Sequence, residues 1–281
     1  VRSIAVLGAG RLYDLDTDAL AHRFDEITLV DADPNCLPAW SAYGQRLPGT
    51  GHLTTVVTDI TGVLGPWSAE LRTALEQNRG ASNPWKEALS TIRRFGEKGM
   101  PNALNLNADA VLSLNILSQL PLGWQALIER ELHRSFGRSL VKERETEWLE
   151  SYTVSGKRII EAHLRDLAAL PAREILVVTD LRYAFPGASD LTWESETTEA
   201  EPADQPMKGR WKSGTLSSLE EMDALLGASI AMNSPTESLG GRVMKHYRPW
   251  VWDLSPQRGS EKAEKHLVTA FSLGPKRSDK E

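Results

Sequence analysis

Three residues carry the first chemical signal in this sequence: Gly8, Gly10 and Asp31. The glycines stand two apart behind the apolar run 4–7. Asp31 follows Gly10 by 21 residues and ends a second apolar run, 27–30. Glycine lets a chain turn tightly and lets a ligand approach the backbone, because a Cβ would block that approach. An acid at the end of the second run can accept hydrogen bonds from both hydroxyls of a ribose, each such charge-assisted bond being worth roughly 1.5–3 kcal/mol. Each residue also has a plain structural reading. A parallel α/β domain needs small residues where strands turn into helices, and Asp31 can hold the turn into the helix that Asp33-Pro34 opens. The other reactive side chains offer less. Cys36 sits at what reads as an ordinary helix start, and the six histidines and one cysteine show no metal-ligand spacing, so no metal is expected. His163 falls in a helical stretch and reads as a satisfied histidine, while His246 and His266 border predicted strands without an obvious partner. Neither a Gly-x-x-x-x-Gly-Lys-Ser/Thr phosphate loop nor a Gly-x-Ser-x-Gly elbow occurs.

Bringing the glycines to the acid requires a strand, a turn, a helix and a second strand within about thirty residues. The chain supplies them, with Leu15, Ala19, Leu20, Arg23 and Phe24 at helical spacing between the two runs. A helix is expected to reach Tyr43 and stop at Gly44, followed by a third strand over 53–58 ending at Asp59. A helix over 66–77, an inserted helix and loop over 78–107 and a fourth strand over 108–114 come next. The residues 115–121 read as a loop, 124–170 as mainly helical, and 174–179 as a fifth strand ending at Asp180. Beyond it, 187–215 is acidic and poor in aliphatics and reads as a long, weakly ordered loop. A short helix over 219–226 and two antiparallel β runs, 247–254 and 266–273, close the chain. Strands alternating with helices require a mostly parallel sheet covered on both faces.

Composition sets the outer bounds. The 281 residues carry a net charge of −6, which gives no general pull towards nucleic acid or an anionic membrane. The apolar runs are strand-sized, far short of the roughly 20 residues that span a bilayer. A lone cysteine suits a reducing, cytoplasmic setting. Val1 is not an initiator methionine, so the sequence leaves open what precedes it, and it does not set the oligomeric state. Nine tryptophans are many for this length, and core packing is their expected use.

The Val6-Leu7-Gly8-Ala9-Gly10 turn, Asp31 and the closing β hairpin together resemble the Rossmann-like S-adenosylmethionine-dependent methyltransferases over residues 3–273. The resemblance implies an α/β fold: a seven-stranded, mostly parallel sheet with an antiparallel terminal hairpin and helices on both faces. It implies one domain over 1–281, with 78–107 and 187–245 as candidate substrate cover. It places Gly8, Ala9 and Gly10 beside the methionine part of S-adenosylmethionine, Asp31 with Ala32 at its ribose, and Asp59 with Ile60 around its adenine. Asn115 would begin the catalytic-face loop, with Asn115 and Ser118 as candidate catalytic residues. Of Asp14 and Asp16, one would cap the first helix and the other could face the cofactor's ammonium group. Asp59 also reads as an N-cap supported by Thr61 and Gly62. More narrowly, GAGRLYDLD, LVDADP, SLNILSQLP and WVWDLSP look like a bacterial group of methyltransferase-like proteins.

The pattern departs from those relatives at Leu12, where many have a third glycine, and at Val6 or Leu7, where many have an acid. The run Asn115-Ile116-Leu117-Ser118 lacks the Pro-Pro-aromatic pattern of enzymes that methylate base amines, so nucleic acid is the less expected acceptor. The leading expectation is methyl transfer to a small molecule or a protein side chain. An NAD(P)-dependent oxidoreductase is the alternative, although its third glycine would fall at Tyr13. A methyltransferase-like binding protein without catalysis is the third reading.

Overall fold

The computed structural model describes residues 2–49, 51–98, 105–186, 192–195, 209–212, 219–223, 238–240, 242–247, 249–255 and 264–276. The first half alternates as the sequence implies. β1 (Ser3–Leu7), α1 (Thr17–Arg23), β2 (Glu26–Asp31), α2 (Leu37–Gly44) and β3 (His52–Val57) lead into α3 (Leu64–Gln77), α4 (Pro84–Arg94) and β4 (Ala110–Leu114). Three helices follow, α5 (Ile116–Phe136), α6 (Arg138–Glu143) and α7 (Glu145–Ala169), and then β5 (Glu174–Pro186). The remainder is β: β6 (Thr192–Ser195), β7 (Gly209–Lys212), β8 (Leu219–Asp223), β9 (Ser238–Leu239), β10 (Arg242–His246), β11 (Trp250–Ser255) and β12 (Glu264–Lys276).

The main sheet runs β3-β2-β1-β4-β5-β12-β10-β9. Its first five strands are parallel. β12 enters antiparallel beside β5 and carries β10 and β11 antiparallel along its other edge, one near each end. This is an α/β, Rossmann-like, mostly parallel sheet, with the antiparallel hairpin in its expected place. The strand order reverses between β1 and β4, and such switch points open a crevice at the carboxyl ends of the strands.

Strand alternation divides the core. Ile4 and Val6 face one layer, where Trp40 and Tyr43 of α2 close over them with Ile27 and Leu29. Ala5 and Leu7 face the other, built from α3, α4, α5 and α7 with Leu71, Ile92, Trp124, Ile128 and Ile160 at its centre. Burial on both faces is why these strands are apolar throughout. Five tryptophans, Trp40, Trp67, Trp85, Trp124 and Trp148, are buried as expected while Trp250 is exposed, and Trp67, Phe95 and Trp124 form a ring cluster with centroids 4.9–5.2 Å apart. The indole N–H of Trp124 donates to Ser155 Oγ at 2.9 Å. Burying each such side chain contributes roughly 1.5–3 kcal/mol.

Several expectations change. Within segment 78–107 the described α4 packs into the core. Asn83 caps α4 by accepting from the Lys86 N–H at 3.0 Å, Pro84 opens it, and Trp85, Ala88 and Ile92 bury one stripe. The run 115–121 is not a loop: α5 begins at Ile116 and takes Pro121 inside it, which costs one early backbone bond of a 21-residue helix. β5 does not stop at Asp180 but continues to Pro186, because β8 and β12 pair with its extension. Residues 219–223 are accordingly a strand, not a helix: the open edge of β5 outweighs local propensity. Within the segment read as a long loop, β6 and β7 pair antiparallel, while the rest of 187–215 lies outside the described residues, as does most of 187–245. No helix among the described residues is long and apolar enough to cross a membrane.

Candidate functional site

The glycine turn is fastened by its own backbone. Gly8 and Ala9 both donate their N–H to Val30 O, at 2.9 and 3.2 Å. Gly10 N–H donates to Asp31 Oδ2 at 2.9 Å, and the buried indole of Trp40 donates to Gly10 O at 2.7 Å. The two glycines differ in what requires them. Gly8 has φ +74, and a Cβ there would lie 2.5 Å from Ile116 Cγ1 and 2.6 Å from Leu114 O, so it lets β1 pack against the β4–α5 junction. Gly10 has φ +49 and open space where its Cβ would be. Leu12, at the position of the relatives' third glycine, keeps that conformation with φ +68. A left-handed conformation costs a residue with a Cβ roughly 1–2 kcal/mol, and Leu12 offsets it by packing against the Trp40 side of the core.

Asp31 serves two turns at once, since its Oδ1 also accepts from Asp33 N–H at 2.9 Å. Each carboxylate oxygen keeps a further lone pair, so the turn-holding role and a ribose contact are compatible. Asp33 in turn accepts from Asn35 N–H at 2.9 Å and starts the helical turn at Pro34. Asp16 is the acid that caps α1, accepting from Ala19 N–H at 2.9 Å. Asp14 is exposed and feels the charges of Asp180 and His266. Its carboxyl is raised from the ordinary value first by partial shielding from water, then by the charge of Asp180, with His266 opposing.

The β4–β5 end is built from side chains. Asn115 follows β4 in a left-handed conformation, φ +52, and its buried Oδ1 has no hydrogen-bond partner among the described residues. Ser118 Oγ donates to Asp180 Oδ2 at 2.9 Å, and His266 Nδ1 lies 3.0 Å from Asp180 Oδ1. An ionised carboxylate only accepts, so Nδ1 carries the proton and the basic nitrogen of a neutral His266 is Nε2. Asp180 and His266 are both buried, and Tyr183 meets the imidazole edge-on with centroids 4.4 Å apart.

A bulge makes this grouping possible. Val268 lies opposite Asp180 and Leu267 opposite Arg182, which leaves Leu181 as an extra residue in β5. Asp180 and Tyr183, three apart, would otherwise point to opposite faces. With the bulge both share a face with His266. Ser118 Oγ also lies 3.4 Å from Asn115 O, so its proton has two acceptors, the Asp180 carboxylate and that carbonyl.

The remaining candidates stand elsewhere. Asp59 spends both oxygens locally, on Thr61 N–H and Oγ1 at 2.9 and 2.6 Å and on Leu64 N–H at 2.9 Å, as an acid capping α3 does. Ile60 and Ala9 are buried in the two core layers, and Ala32 is exposed beside Asp31. Cys36 is buried, and burial first, then Asp31 and Asp33, pushes its thiol up, away from a reactive thiolate. His163 is a satisfied core histidine 3.1 Å from Ser113 Oγ, lowered to about 4 by burial. His266, in contrast, has the partner that the sequence did not disclose. The only hint was an acid ending a β run and a histidine opening another.

S-adenosylmethionine is the cofactor that the sequence resemblance implies, and the residues present are compatible with it. The unpartnered Asn115 Oδ1 can accept from its ammonium group, the open face of Gly10 leaves room beside the turn, and the acids suit its positive charge. No family model and no curated protein matches the chain. Among solved structures it is similar to a candidate RNA methyltransferase from Pyrococcus horikoshii, at 9% identity and a TM-score of 0.38 over 99% of this chain and 75% of that one. It is also similar to an alcohol dehydrogenase from Comamonas testosteroni specific for bulky-bulky ketones, at 12% identity and a TM-score of 0.20 over 52% of this chain and 69% of that one. A short-chain dehydrogenase from Sphingobium yanoikuyae, solved with NADPH, gives 13% identity and a TM-score of 0.20 over 54% and 67%. Superpositions this loose say nothing about the chemistry of the site.

Proposed function

We propose that the chain binds S-adenosylmethionine at the carboxyl ends of β1, β2 and β4 and transfers its methyl group to a small molecule or a protein side chain. The observation that carries this reading is the charge and bonding of the glycine turn. Its amides are spent on Val30 O and Asp31, and α1 starts seven residues after Gly10 with Asp16 as its cap and Asp18 in its first turn. A dinucleotide needs free amides and a helix N-terminus for its pyrophosphate. Here acids occupy that place and would repel it. The same acids favour a sulfonium and an ammonium.

On this reading Asp31 accepts from the ribose hydroxyls, and Asn115 Oδ1 and Asp14 receive the ammonium group. The cofactor supplies an already activated methyl group, so the protein needs alignment and a proton acceptor rather than a nucleophile. Asp180 fixes the His266 tautomer and so puts the basic lone pair of the neutral imidazole on Nε2.

Calorimetric titration with S-adenosylmethionine, S-adenosylhomocysteine, NAD and NADP tests the reading. The two sulfur compounds are expected to bind and the dinucleotides not to. Dinucleotide binding would return the oxidoreductase reading, and binding of nothing would leave a protein that keeps the fold without the cofactor.

A further inference from the structure

Between α3 and α5 lies an open groove of about 550 Å³, separate from the glycine turn. Leu64, Gly123 and Leu127 line it with apolar surface, and Ser68, Arg72 and Arg130 add polar groups. Small residues keep it open: a Cβ on Gly123 would already sit 3.1 Å from Leu64 Cδ1.

The charge arrangement beside it is unusual for a helix surface. Glu131 of α5 is only 1% exposed, yet it receives three arginines. Arg72 donates through Nε and Nη2 at 3.2 and 3.0 Å, Arg130 through Nε at 3.2 Å, and Arg134 through Nη1 at 2.9 Å. One guanidinium would balance the carboxylate, and Arg134, outside the groove lining, can be that one. The charges of Arg72 and Arg130 then remain, with Glu76 the further acid that Arg72 feels. Both side chains are about half exposed, at 46% and 53%. Arg130 Nη2 is fixed by Ser68 Oγ at 3.1 Å, and neither Nη1 group has a protein acceptor among the described residues. Glu131 thus orients two guanidiniums whose outer N–H groups are unspent.

We propose that this groove binds a phosphate monoester carried on a flat apolar body, Arg72 and Arg130 holding the phosphoryl oxygens and Leu64 and Leu127 receiving the body. Two orientated guanidiniums match the charge of about −1.5 to −2 of such a group. The apolar lining would be wasted on a bare anion. A nucleic-acid strand calls for a track of cations, whereas this groove offers two on a chain of net charge −6.

The test uses the full chain and phenyl phosphate, with phenol and inorganic phosphate as its two halves and a thymidine oligonucleotide as a polyanion. Phenyl phosphate is expected to bind at least about tenfold more tightly than either half. Arg72→Gln and Arg130→Gln are each expected to weaken it about tenfold, and Arg46→Gln, beyond α2, to leave it unchanged. Gly123→Leu fills the groove without altering charge and should also abolish binding, with circular dichroism confirming that each variant is folded. Inorganic phosphate binding as tightly as phenyl phosphate would mark an adventitious ion only and overturn the proposal. So would indifference to Gly123→Leu, or an oligonucleotide that binds more tightly than phenyl phosphate. None of these readouts involves the cofactor site.

Discussion

At the β1–β2 end of the carboxyl edge, main-chain amides do the fastening: Gly8, Ala9 and Gly10 hang on Val30 O and Asp31. At the β4–β5 end, side chains fasten side chains: Ser118 and His266 share Asp180. The first arrangement closes over 21 residues, the second over 62 and 86. Backbone fastening fixes where a ligand's body can lie and tolerates varied side chains. Side-chain fastening fixes one imidazole in one tautomer and depends on every member. On the proposed function the first is a holding end and the second a reacting end, and the two should respond differently to substitution.

The largest expected effect lies at the seam between the two ends. Gly8→Ala drives a methyl group into Leu114 O and Ile116, and the clash together with a positive φ should cost about 4 kcal/mol in urea unfolding. Gly10→Ala, in the same turn but with open space, should cost only about 1 kcal/mol. Equal losses at the two glycines would erase the distinction. Asp180→Ala comes next, removing the acceptor shared by two buried partners, and should lower stability by about 3 kcal/mol. It should change S-adenosylhomocysteine affinity by less than about threefold, since the holding end is untouched.

The imidazole of His163 supports the β4 side of the sheet and gives a pH signature. Burial lowers it to about 4, below the unfolded value of 6.5. The unfolded chain therefore takes up its proton first. The contribution is complete above pH 6.5 and drains as pH falls through about 4. At about 1.36 kcal/mol per unit, roughly 3 kcal/mol is lost across that window. His163→Gln should flatten stability over it, and an unchanged profile would assign the acid sensitivity elsewhere.

Asp31→Ala should reverse the pattern of Asp180→Ala. S-adenosylhomocysteine binding is expected to weaken about tenfold or more by calorimetry, with Asp31→Asn intermediate. Undiminished binding in a folded Asp31→Ala protein would confine Asp31 to holding its turns. The smallest effect belongs to Leu12→Gly. Relief of the left-handed strain and loss of packing oppose each other, so the urea midpoint should move by less than about 1 kcal/mol equivalent.

The holding end was legible in the sequence because its parts are local. Two glycines, a helix and an acid 21 residues later must meet if the strands are parallel. Leu12 was visible as a departure, but residue type alone concealed that its backbone keeps the glycine conformation. The reacting end was not legible. Asp180 read as the end of a strand and His266 as the start of another, and only the bulge at Leu181 and the antiparallel seating of β12 bring them to one face. Pro121 lies in the run read as a loop, yet a proline six positions into a long helix costs a single bond, and α5 runs through it. At 219–223 the tertiary edge of β5 overrode local preference.

The chain separations also set a timetable. A pairing such as β1–β2, with Ser3 opposite Glu26, closes a short loop, whereas β5–β12, with Thr179 opposite Thr269, must first bring distant segments together. The glycine turn should therefore be formed in the rate-limiting transition state for folding, and the histidine end should assemble after it. Val30→Ala is expected to slow refolding in stopped-flow experiments, while Val268→Ala should leave refolding unchanged and speed unfolding. If the chain binds S-adenosylmethionine as proposed, the pocket for it would then exist, during each folding event, before the imidazole of His266 and the carboxylate of Asp180 have met.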